Sequence, residues 1–225
     1  SSFFSEMSTV LIVVDMQLDF YSRNSAVSQS FPSLASKIGQ LVSLARETEN
    51  VEVVHLREGS NDNVSPWYNF WSKLNPGKSS AADATTAATE PCAQDTDGEK
   101  VFVKYGYDGV GVDSGMVSYL EDKYSLEDKK PIILVCGLVT SCCVHLNAAG
   151  LFLRGFPTFV VADACGDRTE KMHLEHLKRE SRRCFGVVNL EDVRDVYGGG
   201  GGGGKGGEED SLISRCWENF TQKEK

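Results

Sequence analysis

Ile132-Ile-Leu-Val-Cys-Gly-Leu-Val-Thr-Ser-Cys-Cys-Val144 is the stretch that decides how this chain is read. From Pro131 to Cys136 it is unbroken and apolar, as in a strand buried on both faces of a parallel sheet. Gly137 marks a sharp turn, and Val144-His-Leu-Asn-Ala-Ala-Gly-Leu-Phe-Leu153 continues as a helix. A side chain at the top of a parallel strand, on the first turn of the next helix, points into the crevice where α/β sheets bind ligands. There it meets the positive field of a helix N-terminus, which for a cysteine favours the reactive thiolate. Cys142 and Cys143 both lie at that turn, and either sulfur is a candidate nucleophile on this local reading.

Working outward, the same strand-and-helix grammar repeats. Thr9-Val-Leu-Ile-Val-Val14 is a β-branched strand ending in Asp15, followed by a loop and a helix from Pro32 to Glu49 with apolar positions Leu34, Ile38, Leu41, Val42 and Ala45. Val51 to Leu56 is a second strand, and Val101-Phe-Val103 is a third that runs into Lys104. A helix from Asp113 to Lys123, capped by Asp113, leads to the central stretch. Phe156 to Val161 is the fifth strand, ending near Asp163, then a helix from Thr169 to Arg183 and a sixth strand from Gly186 to Leu190. Such alternation predicts right-handed βαβ units, and hence a Rossmann-like three-layer α/β/α sandwich around a six-stranded parallel sheet.

A length of 225 residues suits one domain of this kind, placed at residues 1–197. Residues 198–207 form a Gly-rich linker, and 208–225 a tail whose Leu212-Ile-Ser-Arg-Cys-Trp217 has some apolar character. The glycine run is no phosphate loop, because it follows no strand and lacks the terminal Lys-Ser/Thr. Ser79 to Gln94, rich in Ala, Ser and Thr, is expected to be a surface excursion.

A net charge of −9 argues against a nucleic-acid or anionic-membrane partner, which would need clustered Lys and Arg. No apolar run approaches the ~20 residues of a membrane helix, so the expected location is the cytoplasm. Seven scattered cysteines without a CxxC pair suit reduced thiols in such a compartment.

Asp15, Lys104 and Cys143 all fall at the C-terminal ends of strands, which in an open parallel sheet border one crevice. Brought together, they divide the labour of a cysteine hydrolase: Cys143 attacks, Asp15 takes and returns protons, and the Lys104 ammonium balances charge. The aromatic cluster Pro66-Trp-Tyr-Asn-Phe-Trp71 offers pocket walls or a core patch beneath a loop.

Val13-Val-Asp15-Met-Gln17-x-Asp19-Phe20, Lys104, Gly137-Leu-Val-Thr140-x-x-Cys143-Val144 and the strand end at Asp163-Ala164 together resemble the isochorismatase-like cysteine hydrolases, relatives of nicotinamidases and carbamoylsarcosine amidase. The resemblance spans about Ser8 to Tyr197. It selects Cys143 over Cys142, and it implies a cis peptide between Leu138 and Val139 and an oxyanion hole from the Val139 and Cys143 N–H groups. Phe20 matches a pocket aromatic of the nicotinamidases; Trp67, Trp71 and Tyr107 are further substrate-binding candidates, with Arg57, Glu58 and Tyr105 as other contacts. The resemblance also implies a homodimer or larger homo-oligomer.

Metal-dependent nicotinamidases carry Asp-x-His after the second strand, where this chain has His55-Leu-Arg57-Glu58. One imidazole with scattered acids does not make a metal site, so no catalytic metal and no cofactor are expected. His145 is two residues along a helix from Cys143 and points away from it, and His173 and His176 share a helix face without partner ligands. The sequence therefore points to a metal-independent cysteine hydrolase of a small amide or ureido substrate. Two alternatives stay open: vinyl ether hydrolysis of the isochorismate type by Asp15 and Lys104, and a non-catalytic binding protein on the same fold.

Overall fold

The computed structural model describes residues 8–59, 89–111, 114–124, 130–181 and 183–198. Its centre is a six-stranded, all-parallel sheet in the order β3-β2-β1-β4-β5-β6. The strands are β1 (Thr9–Val14), β2 (Val51–Glu58), β3 (Lys100–Lys104), β4 (Ile132–Leu138), β5 (Thr158–Gly166) and β6 (Gly186–Val188). The helices are α1 (Ser25–Ser30), α2 (Leu34–Glu47), α3 (Met116–Tyr124), α4 (His145–Leu153), α5 (Glu170–Glu180) and α6 (Leu190–Tyr197). The predicted sandwich and sheet are therefore what the chain forms.

β1 and β4 are the middle of the sheet, and every residue of both is buried. That is why their sequences do not alternate: helices cover both faces, so each position must be apolar. Full burial of a Val, Leu or Ile side chain contributes roughly 1.5–3 kcal/mol, and these two strands carry nine of them. From β1 the chain winds outward through β2 to β3, returns to β4, and then winds the other way through β5 to β6. With right-handed crossovers this reversal puts α2 on one face and α3, α4 and α5 on the other. α6 returns to pack on α2 and β5. The reversal falls between β1 and β4, the switch point at which open α/β sheets bind ligands.

Several boundaries differ from the sequence expectation. The loop after β1 holds the short helix α1, capped by the Asn24 side chain, which accepts from the Val27 N–H. β5 runs on to Gly166, beyond an irregularity in its pairing with β4, so Asp163 lies within the strand and is no site residue. Its carboxylate pairs with Lys37 at 2.7 Å and accepts from the Leu190 N–H at 2.8 Å, anchoring α2 and the start of α6. α6 itself carries a capping box between Asn189 and Asp192 that the sequence reading passed over. The expected cap Asp113, the Trp67 and Trp71 cluster, and the linker and tail lie outside the described residues. No helix among the described residues is long and apolar enough to cross a membrane.

Candidate active site

At the C-terminal edge of the sheet, β1 delivers Asp15 in a left-handed conformation, φ 51°. This backbone region is uncommon outside glycine but tolerated by Asp and Asn, and it turns the carboxylate back over the strand ends. β3 delivers Lys104 from the sheet edge, and its long side chain reaches across β2, wholly buried. Its ammonium lies 2.8 Å from Asp15 Oδ2, donates to Gly106 O at 2.8 Å and to Cys143 Sγ at 3.7 Å, and stands 3.7 Å from Glu58 Oε2. Asp15, Lys104 and Cys143, distant along the chain, thus converge as the strand-end argument expected.

Glu58, left in the sequence as one of several open contacts, is the fourth member. It is in register with Lys104 across β2 and β3, and the side chains of Arg57 and Glu58 go to opposite faces of the strand. Arg57 pairs with Asp95 at 2.6 Å, whereas Glu58 faces Lys104. Gln17, of the Asp15-Met-Gln17 motif, clamps Glu58 through its backbone: Oε1 accepts from the Glu58 N–H at 3.0 Å and Nε2 donates to Glu58 O at 3.2 Å. A motif residue on β1's exit thereby fixes the height of an acid on β2.

The nucleophile turn is built differently from a plain helix start. Gly137, φ 117°, lets β4 lie against β1, where a Cβ would sit 2.0 Å from Val14 O. The Leu138–Val139 peptide is cis, as the resemblance implied. Thr140–Val144 then forms one π-helical turn before α4, a feature frequent at functional sites. The end of β5 holds this turn in place. Buried Asp167 accepts from the Ser141 N–H at 2.7 Å, and Thr140 Oγ1 donates to Gly166 O at 3.0 Å. With its only proton given to Gly166, the Thr140 hydroxyl accepts from His173 Nδ1–H at 2.8 Å. Asn147 Nδ2 donates to Cys143 O at 2.7 Å and to Tyr107 O at 3.2 Å, and Asn147 Oδ1 accepts from the Gly109 N–H at 2.8 Å. Asn147, Asp167 and His173 have no local sequence signal as site supports, because each acts across the fold.

Cys143 is 5 % exposed, while Cys142 is half-buried. The expected resting thiolate on Cys143 is not what this environment favours. The neighbouring Cys142 thiol, burial and the Asp15 carboxylate together push the Cys143 thiol up, against the pull of Lys104. Cys142 is held below the usual thiol range by Cys143, with Lys104 and the Arg168 guanidinium adding to the effect. Burial raises Asp15 despite Lys104 beside it, so its carboxylate is a ready proton acceptor. Lys104 stays charged: burial alone would lower it, but Asp15, Cys143 and Glu58 hold it above the ordinary lysine value.

Ligand atoms of Asp15, Glu58 and Cys143 lie within 4.8 Å of one another, dimensions that could hold a metal ion. The Lys104 ammonium stands among them at 2.8–3.7 Å, so a divalent ion there would meet a fixed positive charge; the donor set does not fit a metal. His55 is paired with Glu99 at 2.9 Å, away from the site. His145 packs edge-on against His176, ring centroids 4.7 Å apart, and so does not serve Cys143. Phe20 is half-buried against the core just beyond Asp15, and Tyr107 is 37 % exposed, close enough to Cys142, Glu58 and Cys143 for their charge to raise its phenol.

A buried thiol, two carboxylates and an ammonium at the switch point of a parallel sheet define an α/β hydrolytic site. The chain belongs to the isochorismatase family of hydrolases, its residues 9–192 matching the isochorismatase domain. The isochorismatase-like hydrolase from Alkaliphilus metalliredigens has the same fold, with a TM-score of 0.68 at 16 % identity over 83 % of this chain and 97 % of that one. An isochorismatase family protein from Desulfovibrio vulgaris matches with a TM-score of 0.68 at 21 % identity, covering 85 % and 98 %. N-carbamoylsarcosine amidase from Thermoplasma acidophilum matches with a TM-score of 0.62 at 19 % identity, covering 82 % and 98 %.

Proposed function

We propose that this chain is a metal-independent cysteine hydrolase that cleaves a C–N bond of a small amide or ureido substrate through a thioester on Cys143. The observation that carries the reading is the single buried cluster in which Lys104 contacts both Asp15 and Cys143. As Sγ bonds to the carbonyl carbon, the thiol proton passes to Asp15, and the Val139 and Cys143 N–H groups receive the developing oxyanion. Asp15 returns that proton to the departing nitrogen, the C–N bond breaks, and the acyl or carbamoyl group remains on sulfur. Asp15 then deprotonates a water molecule, which attacks the thioester; the acid leaves and the thiol is restored.

A raised Asp15 is what this cycle requires, since a base too weak would not take a proton from a buried thiol. The same property suits a proton donor, and so favours vinyl ether hydrolysis as the second reading. Paired variants separate the two. Cys143→Ala is expected to lower amide or ureide turnover by at least about 10³-fold and to remove a covalent adduct visible by intact mass. Retained amidase activity in Cys143→Ala, together with its loss in Asp15→Asn, would overturn the thioester mechanism.

The family resemblance and one surface feature support self-association. α4 is apolar around most of its circumference, yet Leu153 is 78 % exposed and Leu146 and Phe152 are exposed beside it. A helix of that composition is at home in an interface.

A further inference from the structure

The two buried carboxylates flank the nucleophile, and their chemistry narrows the substrate of the reaction proposed above. Asp15 and Glu58 oxygens and Cys143 Sγ all lie within 4.8 Å of one another. A carbonyl carbon poised for attack stands ~3–3.5 Å from sulfur, so the groups on either side of that carbon pass next to the carboxylates. Asp15 handles the nitrogen that leaves. The other substituent of the carbonyl falls to Glu58.

Lysine has three donors, and those of Lys104 go to Asp15, Gly106 O and Cys143 Sγ. Glu58, 3.7 Å away, is held by charge rather than by a hydrogen bond from Lys104. Its backbone is pinned at both N–H and C=O by Gln17, so the side chain starts from a fixed point. Arg57, next in sequence, is turned to the opposite face and neutralised by Asp95. Arg168, which acts on Cys142 and Tyr107, is exposed at the rim beside Asp167. The inner site among the described residues thus holds two carboxylates against one ammonium, a poor setting for a substrate carboxylate next to the reacting carbonyl and a good one for N–H.

We propose that Glu58 is the specificity-determining residue and that it selects a ureido substrate, uncharged next to the carbonyl and bearing N–H on both of its sides. A ureide gives one nitrogen to Asp15 and one N–H to Glu58. A carboxamide presents carbon on the second side and leaves Glu58 without that donor. A hydrogen bond to a charged acceptor separates two such substrates on the order of 10- to 100-fold.

The test compares kcat/KM for a neutral N-alkylurea, the carboxamide of equal length, and the urea methylated on the nitrogen that stays with the carbonyl. The wild-type chain is expected to prefer the urea at least about 10-fold over both others. Glu58→Gln, close to isosteric and checked by thermal unfolding, is expected to shrink the urea-to-carboxamide ratio about tenfold, with Glu58→Asp restoring part of it. Equal turnover of urea and carboxamide by the wild-type chain, or an unchanged ratio in Glu58→Gln, overturns the role of Glu58 while Cys143-dependent amide cleavage stands. If no amide or urea is cleaved and a vinyl ether is, the parent reading fails as well. The methylated urea keeps the comparison decisive if Glu58→Gln does not fold.

Discussion

Replacing Lys104 with methionine removes the one cation in the buried cluster and leaves the volume nearly unchanged. Asp15 and Glu58, with ligand atoms within 4.8 Å, then face each other without it. At an effective dielectric of ~20, two unit charges at that separation repel by about 3.5 kcal/mol. Truncating one member of a buried charge pair commonly costs 3–5 kcal/mol, the same size. For a domain of this length each kcal/mol moves Tm by roughly 2–4 °C, so Lys104→Met is expected to melt about 6–20 °C below the wild type at pH 8.

The loss must depend on pH, and the sign is fixed. Burial already raises Asp15 in the folded wild-type chain, and removing Lys104 raises it further. A carboxyl whose folded pKa lies above its unfolded value holds more protons folded than unfolded across that window, so stability falls as pH rises through it. The deficit of Lys104→Met should therefore narrow as pH falls from 8 towards 5, where the carboxyl protonates and the repulsion ends. Thermal unfolding by circular dichroism over that range measures it. A Tm difference that stays constant from pH 8 to 5 would show that the variant fails through packing, and would refute the charge argument.

Three further outcomes follow from single features of the site. A small alkylating reagent near pH 7, mapped by mass spectrometry, is expected to label half-buried Cys142 before Cys143, with Cys143 labelling rising as the pH is raised; faster labelling of Cys143 at neutral pH would contradict its raised pKa. Gly137→Ala would force a Cβ to 2.0 Å from Val14 O at a φ of 117°, so a loss of about 4 kcal/mol or more is expected, read as a collapse in soluble yield and in the denaturant midpoint. Leu146→Glu with Leu153→Glu on α4 should convert an oligomer to monomer in multi-angle light scattering, and an unchanged mass would place any interface elsewhere.

The fold was legible because its decisive signals are local. β1 and β4 are apolar at consecutive positions, which only a strand covered on both faces requires. The strand-end positions of Asp15, Lys104 and Cys143 follow from those runs, and in a parallel sheet all such ends share one edge. Their convergence could thus be anticipated without knowing any distance. α1 and the continuation of β5 to Gly166 were less legible, because a six-residue helix and an irregular strand end leave weak periodic signals.

What the sequence by itself determined is the sheet, its switch point and the identity of three groups at its edge. Only the tertiary structure decided what state those groups are in and what surrounds them. Glu58 joined the site and Arg57 left it because the two occupy opposite faces of one strand, and their partners, Lys104 and Asp95, lie far along the chain. Asp167, His173 and Asn147 hold the nucleophile turn through hydrogen bonds that no periodicity encodes. The helix-start position of Cys143 suggested a thiolate, yet burial and a neighbouring carboxylate favour the thiol. Protonation depends on the solvent and charge within a few ångströms in space, and that neighbourhood exists only once the chain has folded.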